Sequence, residues 1–370
     1  MTMSAPSSPP LRTVSSGPLP PGSTIGMLGA GQLGRMTALA AANLGYRLHV
    51  FSPEGPDSPC GQVTSLQTRA DWHDREALAR FAAAVDVVTL EWENVPTDTV
   101  AFLAGLVPTY PGAPVLAVAQ DRLREKGFAN DLGLGTAPFR AVRGVADLTA
   151  AVAEIGRPSV LKSTRMGYDG KGQVRIKADT DLAAAWAEMG AEEGILEGWV
   201  TFTCEVSVIV ARRADGVTAS FPVVENRHKD GILDVTLVPA AVPADVAAEA
   251  TRVAETLARA LGVVGLLAVE MFVTPDGRVL VNEIAPRPHN SGHWTQDFCT
   301  TSQFEQFVRA VTGLPLGPTD VTRPCTMTNL IGDDVAAWER LMAEPGAKLH
   351  LYGKGTPKPG RKMGHVNRPR

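Results

Sequence analysis

The chain contains no run of about 18 apolar residues, the length a membrane-spanning helix needs, so the bilayer is not indicated as its solvent. Cysteine is sparse: Cys60, Cys204, Cys299 and Cys325 are scattered without a CxxC spacing. That pattern excludes a disulfide framework or a cysteine-built zinc site as the organising principle and fits a reducing cytoplasm. Positive charge is not in excess either, with 35 Lys and Arg against 39 Asp and Glu and a formal net charge of −4. Neither nucleic acid nor an anionic membrane has an electrostatic case as partner, and a small anion would have to be met by local clusters. GxxxxGK[ST] does not occur, which excludes a P-loop. Residues 1–22 are rich in Pro and Ser without the apolar centre of a secretory signal, and read as a disordered tail.

With 370 residues and 44% hydrophobic content, the chain is long enough for two or three globular domains. Thr24–Leu28 reads as a strand running into Gly29-Ala30-Gly31-Gln32-Leu33-Gly34, a GxGxxG run, with a helix over Arg35–Leu44 stopped by Gly45. Leu48–Phe51 reads as the next strand, and Glu54 beyond it as a ribose contact or an ordinary loop residue. Val85–Leu90 has the apolar run of a buried parallel strand and leads into Glu91-Trp92-Glu93-Asn94. In open α/β sheets ligands lie beyond the carboxyl ends of the strands, where both segments fall. The alternative for Glu91 and Glu93 is a pair of solvated loop carboxylates. A helical stretch over Ala117–Leu132 carries Asp121, Arg122, Arg124 and Lys126, either as a charged exposed face or as a ligand-facing one.

The chemistry sharpens at Ser159–Gly172, where a short strand ends in Lys162 and Gly167, Gly170 and Gly172 surround Lys171. Glycines let backbone amides approach phosphate oxygens and lysine adds positive charge. A returning strand over Val174–Ile176 makes this a hairpin flap, which suits phosphoryl transfer away from water. Gly194–Val200 reads as an apolar strand bearing Glu197, and Cys204–Ala211 as another carrying Glu205. Glu225–Lys229 reads as a polar cluster between two strands; its His228 is a phosphate contact or merely solvated. Farther along, Gly353–Gly364 holds Lys354, Lys358, Arg361 and Lys362, the densest basic cluster of the chain.

Two apolar runs, Val269–Val273 and Val279–Ile284, flank the turn signal Pro275-Asp276-Gly277. A two-residue loop at Asp276-Gly277 sets Glu270 directly opposite Glu283. Like charges so placed repel at about 5 Å, so a cation between them is expected, magnesium being the usual partner of paired carboxylates and phosphates. An edge hairpin with two solvated glutamates is the alternative. After it, Arg287, His289, Asn290, Ser291 and His293 crowd a segment broken by Pro286 and Pro288, rich in donors for an anionic ligand.

In the order Lys162, Glu197, Glu270, Glu283, these features resemble the ATP-grasp superfamily. Within it, GQLGRM at Gly31–Met36, GYDGKGQ at Gly167–Gln173, NEIAPRPHNSGHWT at Asn282–Thr295 and PGRKMGH at Pro359–His365 resemble the N5-carboxyaminoimidazole ribonucleotide synthetase family, from about Ser23 to Asn367. The resemblance implies a multidomain α/β and α+β chain. A Rossmann-like preATP-grasp domain would span 23–116, an ATP-grasp domain 117–318 with its flap at about 137–197, and a small β-rich C-terminal domain 319–370. The implied activity is ATP-dependent carboxylation of aminoimidazole ribonucleotide by bicarbonate, through carboxyphosphate, by a cytoplasmic homodimer that binds neither nucleic acid nor membrane.

Carried over by motif, ATP would meet Arg122, Lys162, Gly167, Tyr168, Asp169, Gly170, Lys171, Gly172, Gln173, Glu197, Gly198, Trp199, Val200, Glu205, His228, Asn282 and Glu283. Magnesium, or manganese, would take Glu270, Glu283 and Asn282, although strict strand alternation turns Asn282 away from Glu283. The ribonucleotide would meet Tyr168, Asp169, Arg287, His289, Asn290, Ser291, Lys354 and Arg361. Arg287, Asp169 and Glu283 are the catalytic candidates, Arg287 for holding carboxyphosphate. Ser163-Thr164-Arg165-Met166 departs from the family's flap pattern. Other ATP-grasp carboxylate or carbamate ligases share the nucleotide half. A nicotinamide-dependent oxidoreductase would leave the glutamate pair unexplained, and a non-catalytic nucleotide-binding regulator would not need it.

Overall fold

A computed structural model describes residues 17–167 and 172–370. Three sheets carry the site. The first is parallel, with strands in the order Leu66–Arg69, Arg47–Ser52, Thr24–Leu28, Val87–Leu90. Strand order reverses direction at Thr24–Leu28, so a crevice opens where Leu28 and Leu90 end, beside Gly29 and Glu91. Helix Gln32–Asn43 ends one residue short of Leu44, with Gly45 at φ +78° in the left-handed region.

The tail expected through residue 22 is shorter than that among the described residues. The Leu19 amide donates to the Thr312 carbonyl at 2.8 Å, and Tyr46 Oη donates to the Leu19 carbonyl at 2.6 Å. The helix expected over Ala117–Leu132 is two helices, Ala113–Ala119 and Arg122–Asp131. Asp121 breaks them by capping the second, its carboxylate accepting from the Leu123 and Arg124 amides.

The second sheet is antiparallel, ordered Phe139–Val142, Gly194–Gly198, Ser159–Ser163, Gln173–Ile176, with helices Val145–Ile155 and Leu182–Met189 packed on it. The flap hairpin joins its last two strands. The third sheet has nine strands. Its main path runs Val279–Ala285, Gly265–Val273, Cys204–Arg212, Val224–Lys229, Ile232–Val238, Cys325–Ile331, Lys362–Pro369, Lys348–Leu351. The C-terminal strands thus continue this sheet, with no break near residue 319, and one scaffold carries both the glutamate hairpin and the basic loop. Glu225–Lys229, expected as a polar cluster between strands, is itself strand, turning at Asp230-Gly231. Its polar residues alternate between solvent and the site, which hid the strand period.

The glutamate hairpin closes differently from the two-residue expectation. The Thr274 amide donates to the Arg278 carbonyl at 2.9 Å and the Gly277 amide to Thr274 at 2.9 Å, with Gly277 at φ +81°. Pro275-Asp276-Gly277 is therefore a three-residue loop, whose left-handed last position favours glycine. Near the loop the pairing is one residue off the expected register, Val273 facing Val279. A bulge at Asn282 then restores it, so that Glu270 does face Glu283. Helix Ala244–Ala260 packs Val253, Ala254 and Leu257 beneath these strands against Leu267 and Val269.

Candidate active site

Strand pairing sets Glu283, Glu270 and Ser207 in one row across three strands, on one face of the large sheet. Burial, with Glu283 opposite, pushes the Glu270 carboxyl up to about 8. Burial acts the same way on Glu283, but Arg122, at 3.3 Å, and Lys162 outweigh it and hold Glu283 below the usual carboxylate range. Asn282 is the bulged residue, which removes the alternation that would turn it from Glu283. Its side-chain oxygen is buried and accepts no hydrogen bond, while its backbone carbonyl accepts from Lys126 Nζ at 3.2 Å. Two facing carboxylates and an orphaned amide oxygen are hard donors that fit magnesium.

On one side of this row lies a cavity of about 700 Å³. Phe202 and Phe272 stack on each other there at 4.8 Å, beside Trp199 and Val200 at the end of strand Gly194–Gly198, and give this end of the cavity an aromatic wall. Lys162, Gln173, Gly198, Glu205 and His228 also face this cavity. Glu197 lines it too, but its two oxygens lie 2.8 Å from Lys162 Nζ and 3.4 Å from Lys126 Nζ. Burial raises its carboxyl and the two lysines more than reverse this, to about 2. Glu197 is thus the anchor of two lysines. Burial lowers His228 and the carboxylates of Glu205, at 3.0 Å, and Glu270 outweigh it, leaving its pKa above the ordinary value.

On the other side lies a cavity of about 600 Å³, lined by Gln32, Glu93, Arg287, Lys354 and Arg361 among others. Arg287 is gripped side-on by Glu93: Nη2 donates to Oε1 at 2.6 Å and Nε to Oε2, a fork that fixes the guanidinium plane. Lys354 Nζ sits 5.6 Å from the centre of the Tyr352 ring. The two cavities share Arg122, Glu283, His289, Asn290 and Lys362.

Glu91 has a role of its own. It accepts from the Gly31 and Gly34 amides, the latter at 2.9 Å, so the N-terminus of helix Gln32–Asn43 is occupied by the chain's own carboxylate rather than left open for a phosphate. A Cβ on Gly31 would come within 2.6 Å of Glu91 Oε1, which is why glycine is needed there. Glu54 is exposed and lines neither cavity.

Ser291, expected to meet the ribonucleotide, is fully buried and lines neither cavity. Its hydroxyl is engaged by Ser207 and His289 at 2.8 and 2.9 Å. Of the flap residues, Gly167 lines the smaller cavity and Gln173 the larger. Gly172 is a positive-φ turn position beside Ser163. Tyr168, Asp169, Gly170 and Lys171 lie outside the described residues.

Sequence reasoning passed over Glu125 and Phe272 and left Lys126 between an exposed and a ligand-facing charge. Lys126 is one turn beyond Arg122 on the same helix face, and Phe272 is two residues from Glu270 on the same strand face; both signals were available. Burial pushes Glu125 up to about 8 despite Arg122 and Lys126, and it accepts the Ile284 amide at 2.5 Å.

Three family models match the chain: a ribonucleotide synthetase preATP-grasp domain over residues 23–120, an ATP-grasp domain over 127–304, and a phosphoribosylaminoimidazole carboxylase C-terminal domain over 325–368. An N5-carboxyaminoimidazole ribonucleotide synthase of Brucella melitensis is 49% identical, across 95% of this chain and 97% of that protein. A bifunctional purine synthesis protein of Dictyostelium discoideum is 45% identical over 94% of this chain, which spans only 37% of that longer protein. Among solved structures, an ADP complex of N5-carboxyaminoimidazole ribonucleotide synthetase superposes with a TM-score of 0.93 at 45% identity, covering 96% of this chain and 94% of that one. The Aspergillus clavatus synthase in complex with ADP and 5-aminoimidazole ribonucleotide gives 0.89 at 31% identity, covering 95% and 94%.

Proposed function

The chain belongs to the N5-carboxyaminoimidazole ribonucleotide synthase family, and on that premise we propose how its two cavities divide the reaction. The enzyme is an ATP-dependent ligase that carboxylates aminoimidazole ribonucleotide in purine biosynthesis. The observation that carries the division of labour is the shared wall between the cavities, with Glu283 on it and Glu270 facing Glu283 from the larger cavity. ATP occupies the larger cavity with its base against the aromatic wall of Trp199, Phe202 and Phe272 and its phosphates toward Lys162, Arg122 and His228. The ribonucleotide occupies the smaller one, its phosphate on Lys354 and Arg361.

Bicarbonate is a poor electrophile. An oxygen of bicarbonate attacks the γ-phosphorus, the bond to ADP breaks, and carboxyphosphate forms between the cavities. The exocyclic amine then attacks the carboxyl carbon, directly or as released carbon dioxide. The C–N bond forms, phosphate leaves, and the amine gives up a proton. Glu270, Glu283 and Asn282 would hold magnesium, or manganese with the same oxygen donors; when bound it offsets charge on the transferring phosphoryl group. Lys162, locked by Glu197, presents fixed positive charge that costs no reorganisation as the reaction proceeds, while the buried Lys126 braces Glu197 and the Asn282 carbonyl from behind. Arg287 keeps further N–H donors outside its Glu93 fork for carboxyphosphate. Asp169, beyond the described residues, is the motif's candidate for the amine proton, with Tyr168 and Lys171 as flap contacts.

We further place the enzyme as a cytoplasmic homodimer. Its four cysteines are free thiols, which supports a reducing compartment. No helix among the described residues is long and apolar enough to cross a membrane. The test of function is ADP release by purified protein with magnesium, bicarbonate and aminoimidazole ribonucleotide, with light scattering for the dimer. Turnover that is absent, or indifferent to the ribonucleotide, would refute the reading.

A further inference from the structure

Behind the shared wall runs a line of buried polar side chains, Thr236, Asn226, Ser207 and Ser291, that lines neither cavity and ends on His289 and Glu270, which do. Thr236 Oγ1 lies 3.0 Å from Asn226 Oδ1, Asn226 Nδ2 lies 2.9 Å from Ser207 Oγ, and Ser207 Oγ lies 2.8 Å from Ser291 Oγ. Ser291 Oγ is 2.9 Å from His289 Nδ1, and His289 Nε2 is 3.4 Å from Glu270 Oε1. Thr236, Ser207 and Ser291 are fully buried and Asn226 nearly so.

Hydroxyls and amides can run such a line in either direction, so one group must decide it. That group is the Ser291 backbone amide, which points at His289 Nδ1 at 3.3 Å. An amide N–H can only donate, so Nδ1 must carry its lone pair and the ring proton must sit on Nε2. Every other orientation follows. Ser291 donates to His289, Ser207 to Ser291, Asn226 through its NH₂ to Ser207, and Thr236 to the Asn226 oxygen. At the far end Nε2 lies 3.4 Å from Glu270 Oε1, so a proton on Nε2 faces that carboxyl group. The His289 backbone is itself clamped by Gln303, whose oxygen accepts from the His289 amide at 2.9 Å and whose NH₂ donates to its carbonyl at 2.8 Å. The backbone that carries the ring is therefore held in place.

We propose that Thr236, Asn226, Ser207 and Ser291 form a one-way hydrogen-bond line that holds His289 as its Nε2–H tautomer and so gives the Glu270 carboxylate a permanent donor. This rests on reading Glu270 as a metal ligand. Asn226 and Ser207 are then positioning residues for the metal side of the site, acting through His289 without touching any substrate. A donor fixed on Oε1 sets the plane of Glu270 and leaves Oε2 to other partners, the service that outer hydrogen bonds render to metal-binding carboxylates elsewhere.

The test uses the full chain, metal-free, with ¹⁵N-labelled histidine. Its seven histidines are few enough for long-range ¹H–¹⁵N correlation, with His289→Gln identifying the signal. The wild type should show His289 with an unprotonated, imine-type Nδ1 and a protonated Nε2. Asn226→Asp replaces the NH₂ by an acceptor of the same shape and reverses the line: Ser207 turns to donate to it, Ser291 follows, and the proton is drawn to His289 Nδ1. The His289 pattern should change accordingly, with the magnesium half-saturation point rising about tenfold.

A protonated Nδ1 in the wild type overturns the proposal whether or not the variant folds. So does an unchanged His289 pattern in an Asn226→Asp protein with native melting behaviour. If His289 shows the expected tautomer while added magnesium leaves its Nε2 signal, 3.4 Å from Glu270, unmoved, the line stands and the assignment of Glu270 as a metal ligand falls.

Discussion

Glu93→Gln probes the grip on Arg287 with almost no change of shape. Two donors of Arg287, Nε and Nη2, now meet two carboxylate oxygens, with both side chains about one-fifth exposed. Glutamine offers one oxygen, and its NH₂ must face the other guanidinium N–H. One charge-assisted hydrogen bond is lost, worth about 1.5–3 kcal/mol, and the remaining cleft exposure argues for the lower half of that range. An arginine guanidinium stays charged even without the Glu93 carboxylate, but in the variant it turns out of plane. If Arg287 holds carboxyphosphate, kcat falls about 10- to 30-fold, at roughly 1.4 kcal/mol per tenfold. ATP binds on the other side of the wall, so its KM stays within about twofold of wild type. Coupled measurement of ADP release at saturating ribonucleotide and bicarbonate reads both parameters. A kcat within about twofold of wild type would show that the fork does not serve the chemistry, and a rise confined to ATP KM would place Arg287 on the nucleotide.

Other consequences follow from the same geometry. Glu270, pushed up to about 8 in the metal-free protein against about 4.3 unfolded, favours folding while protonated. That contribution is full below about pH 4.3 and is lost as pH climbs toward 8. Metal binding needs the ionised form, so the magnesium-induced rise in Tm should be larger near pH 8.5 than near pH 6; an equal rise at both would remove Glu270 from the metal site. Glu283→Gln should lower kcat at least about 100-fold while calorimetry still detects ADP, and near-normal turnover would contradict its role. Lys354→Ala and Arg361→Ala should each raise the ribonucleotide KM about tenfold, the loss of one charge-assisted contact; an unchanged KM puts the phosphate elsewhere. Gly31→Ala should destabilise the protein by about 2 kcal/mol by forcing Glu91 from the helix N-terminus, and an unchanged Tm would show that the loop gives way.

The glutamate pair shows both how far sequence reasoning reaches here and where it stops. Alternation and a turn signal suffice to place Glu270 opposite Glu283, yet the loop has three residues and the bulge at Asn282 makes up the difference. Bulges leave little local signature because backbone geometry, not side-chain type, defines them. The same bulge resolves the alternation problem at Asn282. Contacts distant along the chain were out of reach: Glu93 and Arg287 meet across 194 positions, and neither run predicts the other. Glu91 and Glu93, indistinguishable from solvated loop acids as a string, part company only in three dimensions, one capping the glycine loop and one holding Arg287. The helix broken at Asp121 was missed because an aspartate reads equally as an exposed helical acid or as a cap.

The central claim is that the shared wall joins ATP to bicarbonate before the amine is carboxylated. Turnover with ¹⁸O-labelled bicarbonate, run faster than the label exchanges with water, tests this through the ³¹P spectrum of the phosphate released. Transfer through carboxyphosphate predicts one labelled oxygen in each phosphate formed with the ribonucleotide present. Unlabelled phosphate, its new oxygen drawn from water, would contradict the account.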